Sequence, residues 1–197
     1  MSLRSKRYRE FKGLIDVDKI YNIKEAVELI KQIKKLKFDE TLDIAVNLGV
    51  DPKHADQIVK GVVKLPHGTG KNIKIAVFAK DEKAVEAKEA GADYVGNDDL
   101  AIKLEKGEMK VDRVIATPDM MSTVGKLGKI LGPKGLMPNP KLGTVTNELS
   151  KIIKDIKDGL IEFKADKAGT VHAGIGKISF SEDKLEKNIV NFVDAII

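Results

Sequence analysis

The 197-residue chain contains no cysteine and no tryptophan. Without cysteine there is no disulfide framework, thiolate zinc site, iron–sulfur centre or thiol nucleophile. Aromatic residues make up 5%, too few to bind a single strand by stacking on many rings. No apolar run approaches the ~20 residues of a membrane span, so no membrane partner is expected. Residues 1–13 lack the apolar stretch of a signal peptide, and no Ser-rich, acid-free amphipathic segment of transit type follows. A cytoplasmic protein is expected, with an organelle interior as the alternative. What is present argues for real cores. Hydrophobic residues are 42%, so the chain is not a disordered tail, and its length suits one domain or two small ones.

Lys and Arg number 35 against 30 Asp and Glu, a net charge of +5. Most of the positive charge is offset nearby, but two stretches are not. Residues 1–13 hold Arg4, Lys6, Arg7, Arg9 and Lys12 against Glu10 alone. Residues 120–147 hold Lys126, Lys129, Lys134 and Lys141 with no acid. Both suit phosphate neutralisation; a solvated terminus and an ordinary basic loop are the alternatives.

Along the chain, Asn22 and Glu25 have the spacing of a capping box. Ala26, Val27, Leu29, Ile30 and Ile33 then form a helical apolar stripe. From Phe38 to Gly49, Leu42, Ile44, Val46 and Leu48 alternate with Asp43, Ala45 and Asn47, the pattern of a half-buried strand. A second strand is expected over 58–65. After the Gly-rich joint 67–70 the pattern changes. Strands are expected over 73–79, 94–96 and 113–116, with helices over 81–90 and 99–106 between them. This βαβ grammar implies a mostly parallel sheet with helices on its faces. A helix towards Leu131, a Gly- and Pro-rich stretch to Gly143 and a helix over 147–157 follow. The end reads as a hairpin, with strands 160–164 and 170–179 around the turn 166–169, and a final helix capped by Ser181. The first and last parts complete each other as two β-ribbons and two helices. The expected fold class is therefore α/β and α+β: a split α+β domain, 1–66 and 159–197, interrupted by a Rossmann-like three-layer α/β domain, 67–158.

Motifs of catalysis are missing. His54, His67 and His172 form no close metal pair, and no G-x-S-x-G elbow occurs. Gly68-Thr-Gly70-Lys71 fails the P-loop spacing, with Leu65 at the first Gly position and Asn72 after Lys71. Asp98 and Asp99 are adjacent carboxylates, which diverge and suit a helix start better. No enzyme, catalytic residue, metal site or cofactor is expected. A phosphorylated ligand at 67–71 or 132–143 remains one alternative, and a salt-resistant protein adaptor another.

The most informative stretch is Gly125-Lys-Leu-Gly-Lys-Ile-Leu-Gly-Pro-Lys-Gly-Leu-Met-Pro-Asn-Pro-Lys-Leu-Gly-Thr-Val145. Glycines permit close backbone approach, prolines stiffen the loop, and lysines make it cationic. It resembles the signature of the large-subunit ribosomal protein L1 family, of bacterial type. Ser5-Lys-Arg-Tyr-Arg9, Lys37-Phe-Asp-Glu-Thr41, Leu48-Gly-Val-Asp-Pro52, Leu65-Pro-His-Gly68, Ala90-Gly-Ala-Asp-Tyr-Val95, Ala116-Thr-Pro-Asp119 and Ile161-Glu-Phe163 resemble it too. The resemblance covers essentially the whole chain.

That resemblance implies a structural, non-catalytic component of the large ribosomal subunit. Its split domain would bind the rRNA of the mobile stalk beside the tRNA exit site. Hinge motion would help release exit-site tRNA, and binding to the mRNA leader of its own operon would repress translation. Off the ribosome a monomer is implied. RNA-binding candidates are Lys37, Phe38, Thr41 and Lys53, with His172, Lys177 and Ser179 on the neighbouring strand. Lys can meet phosphate, Thr sugar or phosphate, and Phe a ribose or base; Phe38 as a core residue is the alternative. Lys126, Lys129, Lys134 and Lys141 are candidates for RNA or interdomain contact. Relatives continue past the last helix for about thirty residues, through a Thr-Met-Gly-Pro turn and a last strand of the RNA-binding sheet. The sequence given stops at Ile197, so the resemblance implies contacts beyond it.

Overall fold

A computed structural model describes residues 6–16, 18–33, 37–54 and 57–197. The strands are β1 (Thr41–Asn47), β2 (Lys60–Lys64), β3 (Ile75–Phe78), β4 (Tyr94–Gly96), β5 (Arg113–Ala116), β6 (Leu160–Lys164) and β7 (Thr170–Lys177). The helices are α1 (Lys6–Leu14), α2 (Ile23–Gln32), α3 (Asp81–Glu89), α4 (Asp98–Glu105), α5 (Met121–Lys126), α6 (Gly128–Leu131), α7 (Leu149–Asp158) and α8 (Glu182–Asp194). Contacts divide the chain into one unit of residues 1–58, 65–70 and 165–197, and another of 59–64 and 71–164. The second unit therefore takes the β2–β6 ribbon, which lies outside the 67–158 segment expected from sequence.

In the second unit β3 lies between β4 and β5, parallel to both. β3 is buried along its whole length, because helices cover both faces of the sheet. Ala76 and Phe78 pack with Leu100 and Leu104 of α4 and Val124 of α5. Ile75 and Val77 pack with Ala87 of α3 and Ile153 and Ile156 of α7. Val145 bridges Ala116 and extends the sheet by one residue. Glu86 of α3 accepts from the Ser150 N–H at 3.3 Å and its hydroxyl at 2.8 Å. It thus satisfies a backbone donor that the first turn of α7 leaves open. Gly159, at φ 116, ends that helix in the left-handed region.

The β2–β6 ribbon is antiparallel, and Gly61 faces Phe163. A Cβ at Gly61 would stand 2.9 Å from the ring, so the absent side chain makes room for Phe163. Lys64 holds Asp155 of α7 at 2.6 Å, and Arg113 of β5 holds Glu162 at 2.8 Å. These pairs join the ribbon to the body of its unit.

In the first unit β1 pairs with β7. The hairpin expected over 160–179 therefore does not form as one. The turn is present, with Asp166 N–H donating to the Thr170 carbonyl at 2.8 Å. Beyond the Ala165–Val171 bridge, however, β6 goes to β2 and β7 to β1. The first and last parts of the chain do pair, β1 with β7 and β2 with β6, but the two ribbons fall in different units. α8 packs on β7 and α2. Val27, Leu65, Val171, Ile175, Leu185 and Phe192 are buried here. So is Asn188, whose amide accepts from His67 N–H at 3.1 Å and donates to the carbonyls of Gly68 and Ile175 at 3.0 and 2.9 Å.

Local expectations fared unevenly. Asn22 and Ser181 stand at the cap positions with extended backbone, but neither side chain makes a cap bond. Glu25 turns to Lys19 at 3.3 Å instead of back to the cap. α1 was not anticipated: its charged sequence carries almost no apolar period.

Candidate nucleic-acid interface

β1 alternates half-buried and exposed residues along its length. Leu42, Ile44 and Val46 face inward; Thr41, Asp43, Ala45 and Asn47 face solvent. Directly paired residues share a face in an antiparallel ladder. Lys177 pairs with Thr41, Gly174 with Asp43, His172 with Ala45 and Thr170 with Asn47. A bulge between Leu42 and Asp43 lets the strand skip Ile175, whose side chain is buried. The ribbon thus presents one open strip with Thr41 and Lys177 at one end. His172 stands about 14 Å along it, at ~3.4 Å per residue.

At the Thr41 end four side chains interlock. The Lys177 ammonium donates to Thr41 Oγ1 at 2.9 Å and to the Asp39 carbonyl at 3.4 Å. Asp39 Oδ2 accepts from the Ser179 hydroxyl at 2.7 Å, and Oδ1 from the Ser179 N–H at 3.2 Å. Ile178 N–H donates to the Glu40 carbonyl at 3.0 Å, so backbone and side chains both fasten 39–41 to 177–179. Next to this cluster Phe38 is 67% exposed. The exposed ring lies beside polar groups and is not part of the buried core. Lys37 is exposed as well.

Five of the seven candidates, Lys37, Phe38, Thr41, Lys177 and Ser179, therefore gather at one end of the ribbon. His172 lies on the same strip, with Nε2 3.5 Å from Asp166 Oδ2. The N–H groups of Thr170 and then Ala168 donate to Asp166 and hold its carboxyl below the usual range; His172 adds a smaller effect in the same direction. Lys53 stands apart. It follows β1 at the strip's far end, in a turn where its N–H donates to Asp51 Oδ1 at 3.1 Å. Asp39 was missed by the sequence reading. An acid next to a basic candidate carries no charge signal, and its partner Ser179 is 140 positions away.

The other unit carries the lysine-rich loop. Lys126, Lys129, Lys134 and Lys141 are all exposed. Among the described residues none of the four makes an ion pair. Gly135 and Gly143 adopt φ of 68° and 71°, so the loop uses them for left-handed turns. Pro138 and Leu142 are buried, and Leu136 and Met137 pack against the core. Asn139 N–H donates to Thr144 Oγ1 at 2.8 Å, and Lys141 N–H to Asn139 Oδ1 at 2.9 Å. The loop is thus anchored, and its four lysines stay exposed. Of the basic N-terminal run, Arg4 and the side chains of Lys6 and Arg7 lie outside the described residues.

Residues 29–197 match the sequence model of the Ribosomal protein L1p/L10e family. The chain belongs to that family. Membership in the L1 family makes it a structural constituent of the large ribosomal subunit, in a family of RNA-binding proteins rather than enzymes. The match spans both the β1–β7 strip and the lysine-rich loop. Among the described residues no helix is long and apolar enough to cross a membrane.

Proposed function

We propose that this L1-family protein binds large-subunit rRNA of the mobile stalk through the Thr41 end of the β1–β7 ribbon. One observation carries the reading: the exposed Phe38 beside Lys37 and the Thr41–Lys177–Asp39–Ser179 cluster. Phe38 packs on a ribose or base, Lys37 and Lys177 face phosphates, and the hydroxyls meet sugars. His172 and, further off, Lys53 extend the contact along the strip. The α/β unit acts as a Rossmann-like module whose Lys126, Lys129, Lys134 and Lys141 reach a second RNA segment. In the cytoplasm the ribosome-bound protein assists release of exit-site tRNA. Free as a monomer, it represses its own operon by binding an mRNA leader that mimics the rRNA site.

The test is binding of the purified chain to a stalk rRNA fragment and to a scrambled RNA of equal length, across a salt series. Tight, fragment-selective binding that weakens with salt supports the reading, and the slope counts phosphates. Equal and weak binding to both RNAs sinks it. An mRNA-leader fragment that competes for the same protein supports repression; failure to compete removes that part.

A further inference from the structure

Hydrogen-bond polarity at the Thr41 end is fixed by the protein itself. A carboxylate oxygen only accepts, so the 2.7 Å contact between Ser179 Oγ and Asp39 Oδ2 uses the serine proton. Ser179 is exposed, and what it still offers outward is a lone pair. An ammonium only donates, so the 2.9 Å contact from Lys177 to Thr41 Oγ1 occupies a lone pair of the threonine. Exposed Thr41 keeps its O–H to give away. The same end of the ribbon therefore carries one hydroxyl, Ser179, that can only accept, beside Thr41, which keeps its proton and a second lone pair.

Phosphate cannot satisfy Ser179. It brings acceptors only, and at Ser179 it would meet a lone pair backed by a carboxylate. The group that fits Ser179 is itself a donor. A ribose 2′-hydroxyl donates and accepts, stands in the shallow minor groove of A-form RNA, and is lacking in DNA. Base amino groups also donate, and in a duplex the guanine 2-amino group keeps one N–H free in the minor groove, so it is the competitor that the experiment must separate from the 2′-hydroxyl. We infer that Ser179 reads a ribose 2′-hydroxyl, with Asp39 as the positioning residue that fixes the serine as acceptor. Asp39 thus contributes to RNA recognition without carrying a charge attractive to RNA. The inference rests on the RNA-binding reading above and adds to it the chemical group that is recognised.

The experiment uses the full chain and the stalk rRNA fragment. Each ribose of the fragment is replaced in turn by its 2′-deoxy and 2′-O-methyl forms, which both remove the donor. At one ribose each replacement weakens wild-type binding about tenfold, the worth of one hydrogen bond. In Ser179→Ala the same replacements cost nothing further, so the ratio falls to about one. Asp39→Asn offers N–H in place of a lone pair, frees the serine proton and also lowers that ratio. Thermal melts matching wild type separate this from unfolding. Selective binding with the same 2′ penalties in wild type and Ser179→Ala overturns the inference and leaves RNA binding intact. So does a penalty that appears only when guanosine is replaced by inosine, which lacks the amino group, and that vanishes in Ser179→Ala. Loss of preference for the fragment over scrambled RNA is a different failure, that of the RNA reading itself.

Discussion

The parallel sheet β4–β3–β5 and the ribbon β1–β7 put strands to opposite uses. Every residue of β3 is buried, under helices on both faces. No residue of β1 is fully buried, and alternate positions face solvent. A doubly covered strand contributes cohesion and has no surface left for a ligand. A singly covered ribbon contributes less cohesion and keeps a row of side chains free for recognition. Phe78 at the end of β3 is 0% exposed, and Phe38, three residues before β1, is 67% exposed.

Exchanging each for alanine breaks the comparison if it is wrong. Phe78→Ala should cost about 3–5 kcal/mol of unfolding free energy, read from urea denaturation. Phe38→Ala should stay within about 0.5 kcal/mol of wild type and lose at least about tenfold in affinity for the stalk rRNA fragment, the scale of one stacked ring. Equal stability losses at both sites would show that Phe38 has a core role after all. Next in size is Asn188→Ala, which leaves the His67 N–H and the carbonyls of Gly68 and Ile175 without their partner. A loss of about 1–3 kcal/mol is expected, seen as a lower urea midpoint with unchanged slope. It would show how much of the first unit's cohesion is polar.

The smallest effect lies in the parallel-sheet unit and depends on pH. The Lys71 ammonium, 2.9 Å away, and then the Lys74 N–H hold the Asp112 carboxyl below the usual carboxylate range. Its folded value is the lower one, so its contribution is present above the ordinary Asp value. It is lost as pH falls below about 4 towards the folded value. Asp112→Asn should flatten that acid limb by less than ~1 kcal/mol, since the pair is partly screened by solvent. Stability titrated from pH 6 to pH 2 checks it; an unchanged acid limb would remove Asp112 as a contributor.

Much of the α/β unit was legible in the sequence, because its strands are short apolar runs and two of its helices, α3 and α7, end before glycine. β4, β5 and β6 have the bounds that these signals gave. Pairing was harder. A four-residue turn at 166–169 is the local signature of a hairpin. The partner of each flanking strand comes from about a hundred positions away or more, and no local signal encodes it. The candidate site divides in the same way. Lys37, Phe38 and Thr41 sit within one short motif and were readable together. Whether Phe38 points in or out is settled by packing. The Asp39–Ser179 bond exists only once β1 and β7 are in register.

The ribbon β2–β6 has a consequence for modular engineering. Its strands lie at the two ends of the second unit's chain, and Lys64 and Arg113 tie it to that unit's body. The polypeptide passes between the units at 58/59, 64/65, 70/71 and 164/165, four crossings in all. Cutting out 71–164 alone would strand β2 with Val63 uncovered and no partner. A minimal version of the first unit must therefore shed 59–64 as well and rejoin Ile58 to Leu65, so a recombination event that transplants the α/β module has to carry two pieces of chain together.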